Sequence, residues 1–152
     1  MTNTRLPASR PVLVAAVVCA AALALAAGAL AAATKPVVGA AQNAQLHKRI
    51  VVTRTGVTLY RLAPETTRHL LCTSASCLQA WPPLTVASAS TKLVAGAGVH
   101  GKLGLLKRGR VFQVTLRGLP LYRFVGDSGK GQANGEGLKS FGGTWHVVPA
   151  AG

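Results

Sequence analysis

A chain of 152 residues has room for at most one ordinary domain beside a targeting segment. Its 17 Lys and Arg face only three acids, Glu65, Asp127 and Glu136, for a formal net charge of +14. Three acids dispersed along the chain provide no carboxylate pair for acid–base catalysis. The positive field attracts polyanions without selecting among them, and it also serves solubility.

In chain order, Arg5 and Arg10 give a basic start, and Pro11 to Ala33 is uncharged and rich in Ala, Val and Leu. Ala31-Ala32-Ala33 fits the small-x-small rule for cleavage, so residues 1–33 are expected to be a signal peptide. An uncleaved membrane anchor is the alternative, because the apolar run is long. Cys19 follows Val18 in the middle of the run and does not fit a lipid-attachment site. Residues 34–46 carry Ala, Gln and Val with no clear period and are expected to be a linker. The folded domain is expected over 47–150.

Strand signals there are short and frequent. Arg49 to Arg54 is β-branched, Thr55-Gly56 is a turn signal, and Val57 to Leu62 completes a hairpin. Leu103 to Lys107 and Val111 to Leu116 flank Arg108-Gly109 as a second hairpin. Arg117-Gly118 is another turn, followed by a strand over Leu119 to Val125. Thr144 to Val148 is the last strand. A helical turn is expected only over Cys77 to Trp81, where Pro82-Pro83 stops it. The expected fold is all-β, a small antiparallel domain after an N-terminal signal.

The domain repeats itself. Val52 to Glu65 can be laid without gaps on Val114 to Asp127, with six of fourteen residues identical. Each copy is a strand, a Gly turn, a strand and an acid, and each is followed by a Trp, Trp81 or Trp145. The repeats are placed near 50–84 and 111–149. A lone hairpin is unstable in water, whereas two can cover each other's apolar faces.

Tyr122-x-Phe124-x-x-Asp127 resembles the Tyr-x-aromatic-x-x-Asp signature of the bacterial secreted-repeat lipoproteins, a family of unknown function. Other motifs occur in the family's order: Thr58-Leu59-Tyr60, the cysteine pair, Trp81-Pro82-Pro83-Leu84, Pro120-Leu121-Tyr122 and Gly142-Gly143-Thr144-Trp145. The resemblance spans about Ile50 to Pro149. In the first copy Leu62 stands at the aromatic position and Glu65 at the acid, and the lipobox of many relatives is missing. The resemblance implies export and brings no activity with it.

On a strand Tyr122 and Phe124 share one face. Asp127, followed by Ser-Gly, is expected to accept backbone N–H bonds in a turn. The alternative is that Asp127 and a tyrosine hydroxyl face a ligand. Trp81 and Trp145 are expected as aromatic core. Lys107, Arg108 and Arg110 form the one basic cluster, too small for a nucleic-acid arm, so no specific nucleic acid is expected.

In an exported protein Cys72 and Cys77 are most simply a disulfide. His69 nearby raises a thiolate–histidine metal site, but the fourth ligand of a structural zinc is not evident, and no metal or cofactor is expected. Gly126-Asp-Ser-Gly129 resembles a serine-protease string, but the chain is too short for that fold. The glycines at 129–137 lack the spacing of a phosphate loop.

Two functions remain. One is an exported, non-catalytic module, periplasmic or secreted, binding an anionic envelope polymer, lipid headgroups or a protein partner. In that case it touches the membrane only through an uncleaved N-terminal segment. The other is a metal- or redox-linked accessory protein or enzyme using Cys72, Cys77 and His69. N-terminal sequencing of protein recovered from the producing cell is expected to start near residue 34; an intact Met1 in the membrane fraction would mean an anchor instead.

Overall fold

The structure, a computed structural model, describes residues 1–2 and 35–152. The expected signal segment lies almost wholly outside the described residues. The described residues form nine strands and one short helix: β1 (Val38–Asn43), β2 (Lys48–Thr53), β3 (Tyr60–Ala63), α1 (Ala75–Ala80), β4 (Thr85–Val86), β5 (Leu103–Arg108), β6 (Val111–Leu116), β7 (Leu119–Pro120), β8 (Lys139–Ser140) and β9 (Gly143–Val147). All strand pairs between these elements are antiparallel: β1–β2, β3–β9–β8 and β4–β6–β5, with β7 also on β6.

The two copies meet at their tyrosines. Tyr60 donates its N–H to the Tyr122 carbonyl at 2.8 Å, and Tyr122 returns the bond to Tyr60 at 2.9 Å. Two residues that exchange both bonds lie on a local two-fold axis of an antiparallel pair. The rest of the hydrogen bonding obeys that axis. In the first copy Leu59 donates to Val51, Val51 to Val148, and Val148 to Leu59. In the second, Leu121 donates to Val114, Val114 to Leu84, and Leu84 to Leu121. Leu84 and Val148 each stand three residues after a tryptophan. Each half therefore borrows the segment after the other half's Trp, or lends its own, to close a three-strand junction.

This geometry corrects the ungapped alignment. Val51, not Val52, is the partner of Val114, because the first turn is one residue longer. Three residues, Arg54, Thr55 and Gly56 (φ 88°), separate Thr53 from Val57 in the first copy. Two residues in the left-handed region, Arg117 (φ 54°) and Gly118 (φ 76°), make the tighter second turn between Leu116 and Leu119. Both solutions suit a twisted hairpin, and each places glycine where φ is positive.

The expected linker is also corrected. Residues 38–43 pair along their whole length with β2, as β5 pairs with β6. β1 thus stands to β2 as β5 stands to β6. Val-Gly-Ala-Ala-Gln-Asn has poor intrinsic strand propensity. Its conformation comes from β2 on one side and from Val94 and Gly96 on the other, which bond Val37 and Val38. The expected continuous strand over 119–125 ends at Pro120. Beyond it Arg123 and Val125 donate to Pro82 and Ala80, but Pro82 and Pro83 have no N–H to return. The expected helical turn appears as α1, two residues earlier, capped by Ser74, whose side chain accepts from the Cys77 N–H.

Two apolar clusters form the interior. One gathers Ile50, Tyr60, Leu62, Trp81, Tyr122 and Trp145 around the disulfide; the other gathers Val38, Val51, Leu59, Val114, Leu121 and Val148. Trp81 and Trp145 stack face to face, with centroids 3.8 Å apart and planes 4° from parallel. Tyr60 meets Trp81 edge-on at 5.3 Å and Tyr122 meets Trp145 edge-on at 5.2 Å, again in matching roles. Both tyrosines are fully buried. Tyr60→Ala and Tyr122→Ala are each expected to lower stability by about 3–5 kcal/mol, the range for removing a buried ring. Denaturant melts would show it, and a Tyr122→Ala protein that melts like wild type would mean that the ring is not a core element.

Candidate functional site

The acids that end each motif reach across the dimer-like axis. Tyr60 of the first copy donates its hydroxyl to Asp127 Oδ2 of the second at 2.6 Å. Burial, then the bond to Asp127, pushes the Tyr60 pKa up, so the hydroxyl remains a donor. Asp127 Oδ1 accepts the Asn134 N–H at 3.0 Å, seven residues on, and not an N–H of Ser128 or Gly129. Ser128 instead donates its N–H to Gln132 Oε1. The expected local turn is thus replaced by a loop-closing bond, because the tyrosine of the other copy fixes where the carboxylate points.

Glu65 is the counterpart and is only 2% exposed. Its Oε1 accepts from Leu71 N–H at 2.9 Å and Cys72 N–H at 3.0 Å, closing the loop that carries the disulfide. Glu65 Oε2 has no partner in hydrogen-bond geometry, although the Tyr122 hydroxyl lies beside the same carboxyl. Burial first, then the negative charge of Glu65, pushes the Tyr122 pKa up. Arg108 donates to the Tyr122 hydroxyl at 3.1 Å, to Gln113 Oε1 at 2.9 Å, and to the Cys72 carbonyl.

Arg108 therefore points inward, and the basic cluster is divided. Lys107 and Arg110 remain exposed on either side of the β5–β6 turn, while Arg108 ties β5 to the disulfide loop. The pattern Lys-Arg-Gly-Arg gave no sign of this. In sequence Arg108 is four residues past Gly104, and only the β5–β6 register sets its side chain toward Tyr122. Cys72 and Cys77 are joined, with Cα atoms 5.5 Å apart. Both sulfurs are thereby unavailable as thiolate ligands. His69 is exposed, its N–H bonded within the 66–69 turn.

Phe124 stacks on Trp81 at 4.3 Å and leads out of the core to a cleft of about 590 Å³. The cleft lies between the first turn and the segments 82–86 and 123–127. Its walls are apolar at Pro82, Pro83, Leu84 and Phe124, with Arg54, Arg123 and Asp127 among its lining residues. Both arginines are exposed. The third acid, Glu136, accepts the Val147 N–H at 2.6 Å and pairs with His146 Nδ1 at 3.0 Å.

The family model described as a secreted repeat of unknown function matches residues 109–149. That match covers β6 to β9, the second copy with the full Tyr-x-Phe-x-x-Asp signature. No curated protein and no solved structure matches the chain. The first copy, with Leu62 and Glu65, lies outside the matched residues, yet the structure pairs it with the second about one axis. The match and the disulfide both fit a protein outside the cytoplasm.

Both oxygens of Asp127 act as acceptors, so an amide cannot replace it without setting an NH₂ against one donor. Asp127→Asn is expected to lower stability by about 1–2 kcal/mol, measured by denaturant unfolding. An unchanged midpoint would show that the Tyr60 hydroxyl bond contributes nothing.

Proposed function

We propose that the protein is an exported, non-catalytic β module that binds an anionic component of the cell envelope. The observation that supports it most is the fate of the three acids. Each accepts at least one backbone N–H: Glu65 from Leu71 and Cys72, Asp127 from Asn134, and Glu136 from Val147. Among the described residues no Lys or Arg forms an ion pair with a carboxylate; the one pair is His146 with Glu136.

A solubility surface interleaves both signs of charge. Here the negative charge is drawn into loop closure while most of the positive charge, Arg61, Arg108 and Arg117 apart, is left facing solvent. That arrangement focuses a one-sign field on polyanions such as phosphate-bearing envelope polymers. The bonds that engage Asp127 and Glu136 also leave those carboxylates no evident role as free bases. The metal-linked alternative lacks its thiolate ligands, since the two cysteines are joined to each other.

The exported protein is expected to sediment with a linear anionic polymer such as polyphosphate at low salt. Binding should weaken at least about tenfold on raising ionic strength from 0.05 to 0.5 M, as screened surface charge requires. No binding at low salt, or binding insensitive to salt, would count against an electrostatic module.

A further inference from the structure

The pseudo-two-fold axis allows each site to be compared with its twin. Arg54 and Arg117 are twins, each the residue that follows the strand into the turn. Arg117 is held on both sides, donating to the His100 carbonyl at 2.6 Å and to the Pro149 carbonyl at 2.9 Å. Burial, with Arg61 nearby, lowers its pKa. Its turn is therefore packed against the chain between the repeats and against the C-terminal segment. Arg54 makes no side-chain hydrogen bond among the described residues, and where its twin is closed in, it borders the cleft. Arg123 is the twin of Arg61 and also lies on the cleft.

Asp127 does not neutralise these arginines by pairing. Its two oxygens are engaged by Tyr60 and Asn134, and neither arginine bridges to it. The opening thus presents two guanidinium groups beside an apolar wall. The wall is stiff: prolines fix the backbone at 82 and 83, and Phe124 is stacked on Trp81. Val125, just beside it, is 61% exposed, an apolar side chain left open to solvent on the same cleft. A hydrophilic polymer would find cations over much of the surface and gain nothing from this wall. An amphiphile uses both parts.

We propose that this cleft binds an anionic lipid, with the phosphate headgroup at Arg54 and Arg123 and the apolar portion on Pro82, Pro83, Leu84 and Phe124. The inference rests on the reading of the protein as a binder of anionic envelope components, and it assigns that binding a site and a ligand class. The cleft's volume of about 590 Å³ is in the range of small-molecule sites, roughly 300–1,000 Å³. Guanidinium groups suit phosphate because their planar donors form paired, charge-assisted bonds.

The test is calorimetric titration of the exported protein with short-chain phosphatidylglycerol below its micelle concentration. Parallel arms use phosphatidylcholine of the same chain length, inorganic phosphate and polyphosphate. Phosphatidylglycerol is expected to bind at least about tenfold more tightly than phosphatidylcholine or phosphate, since it alone satisfies both the cations and the wall. Arg54→Gln with Arg123→Gln should weaken it by at least about tenfold. Lys107→Gln with Arg110→Gln removes the same charge away from the cleft and should change it less than about twofold. Thr85→Trp, at an exposed lining position, should block the lipid while leaving polyphosphate binding unchanged. Equal losses in the two double variants, undiminished lipid binding by Thr85→Trp, or phosphatidylglycerol no tighter than phosphate would each overturn the lipid cleft. If polyphosphate still binds in that case, the broader electrostatic function stands; if it does not, both fall.

Discussion

Tyr60 and Tyr122 exchange backbone hydrogen bonds across the local two-fold axis, and each sends its hydroxyl toward the acid of the other copy. Almost every other feature depends on that exchange. It places Trp81 against Trp145, because each tryptophan packs on the edge of one tyrosine. It holds Asp127 through Tyr60 of the opposite repeat so that the carboxylate closes its loop on Asn134, while Glu65 closes its own loop on Leu71 and Cys72. Neither copy buries its tyrosine alone, and Asp127 takes a hydrogen bond from the tyrosine of the other copy, which is a physical reason for writing the motif twice.

The copies have diverged where the symmetry imposes least. The first acid sits sealed under a loop held by the Cys72–Cys77 disulfide and by Arg108, and there the longer Glu reaches two N–H groups at once. The second acid stands at the border of the solvent-facing cleft, where the shorter Asp bonds one N–H and the tyrosine. Leu62 against Phe124 follows the same division. Leu62 is enclosed in the core, whereas Phe124 carries the aromatic stack outward. One side of the pseudo-symmetric domain is built as a closed structural joint and the other as an open surface.

Charge is sorted by the same architecture. Carboxylates close loops in a domain rich in irregular backbone, where unpaired N–H groups are costly. With so few acids, engaging them internally leaves the outer surface cationic. The electrostatic character of the exterior is in this sense a consequence of how the interior is stabilised.

Much was legible from the sequence. The β-branched runs, the Gly turns and the spacing of Trp81 and Trp145 specify short antiparallel strands, because strand and turn preferences are local properties of side chain and backbone. The repeat was visible because both copies carry the same Gly turn and Leu-Tyr-Arg strand. The disulfide was legible from two close cysteines in a chain expected to be exported. Three things were decided only by the tertiary structure. Val38–Asn43 became a strand because β2 offered it a ladder, although Ala, Gly and Asn do not favour one. Arg108 left the basic cluster because the β5–β6 register turned it onto Tyr122 and Cys72. Asp127 found Tyr60, sixty-seven residues away, because two-fold pairing is a relation between distant segments, and no local pattern of residues encodes which partner a side chain will meet.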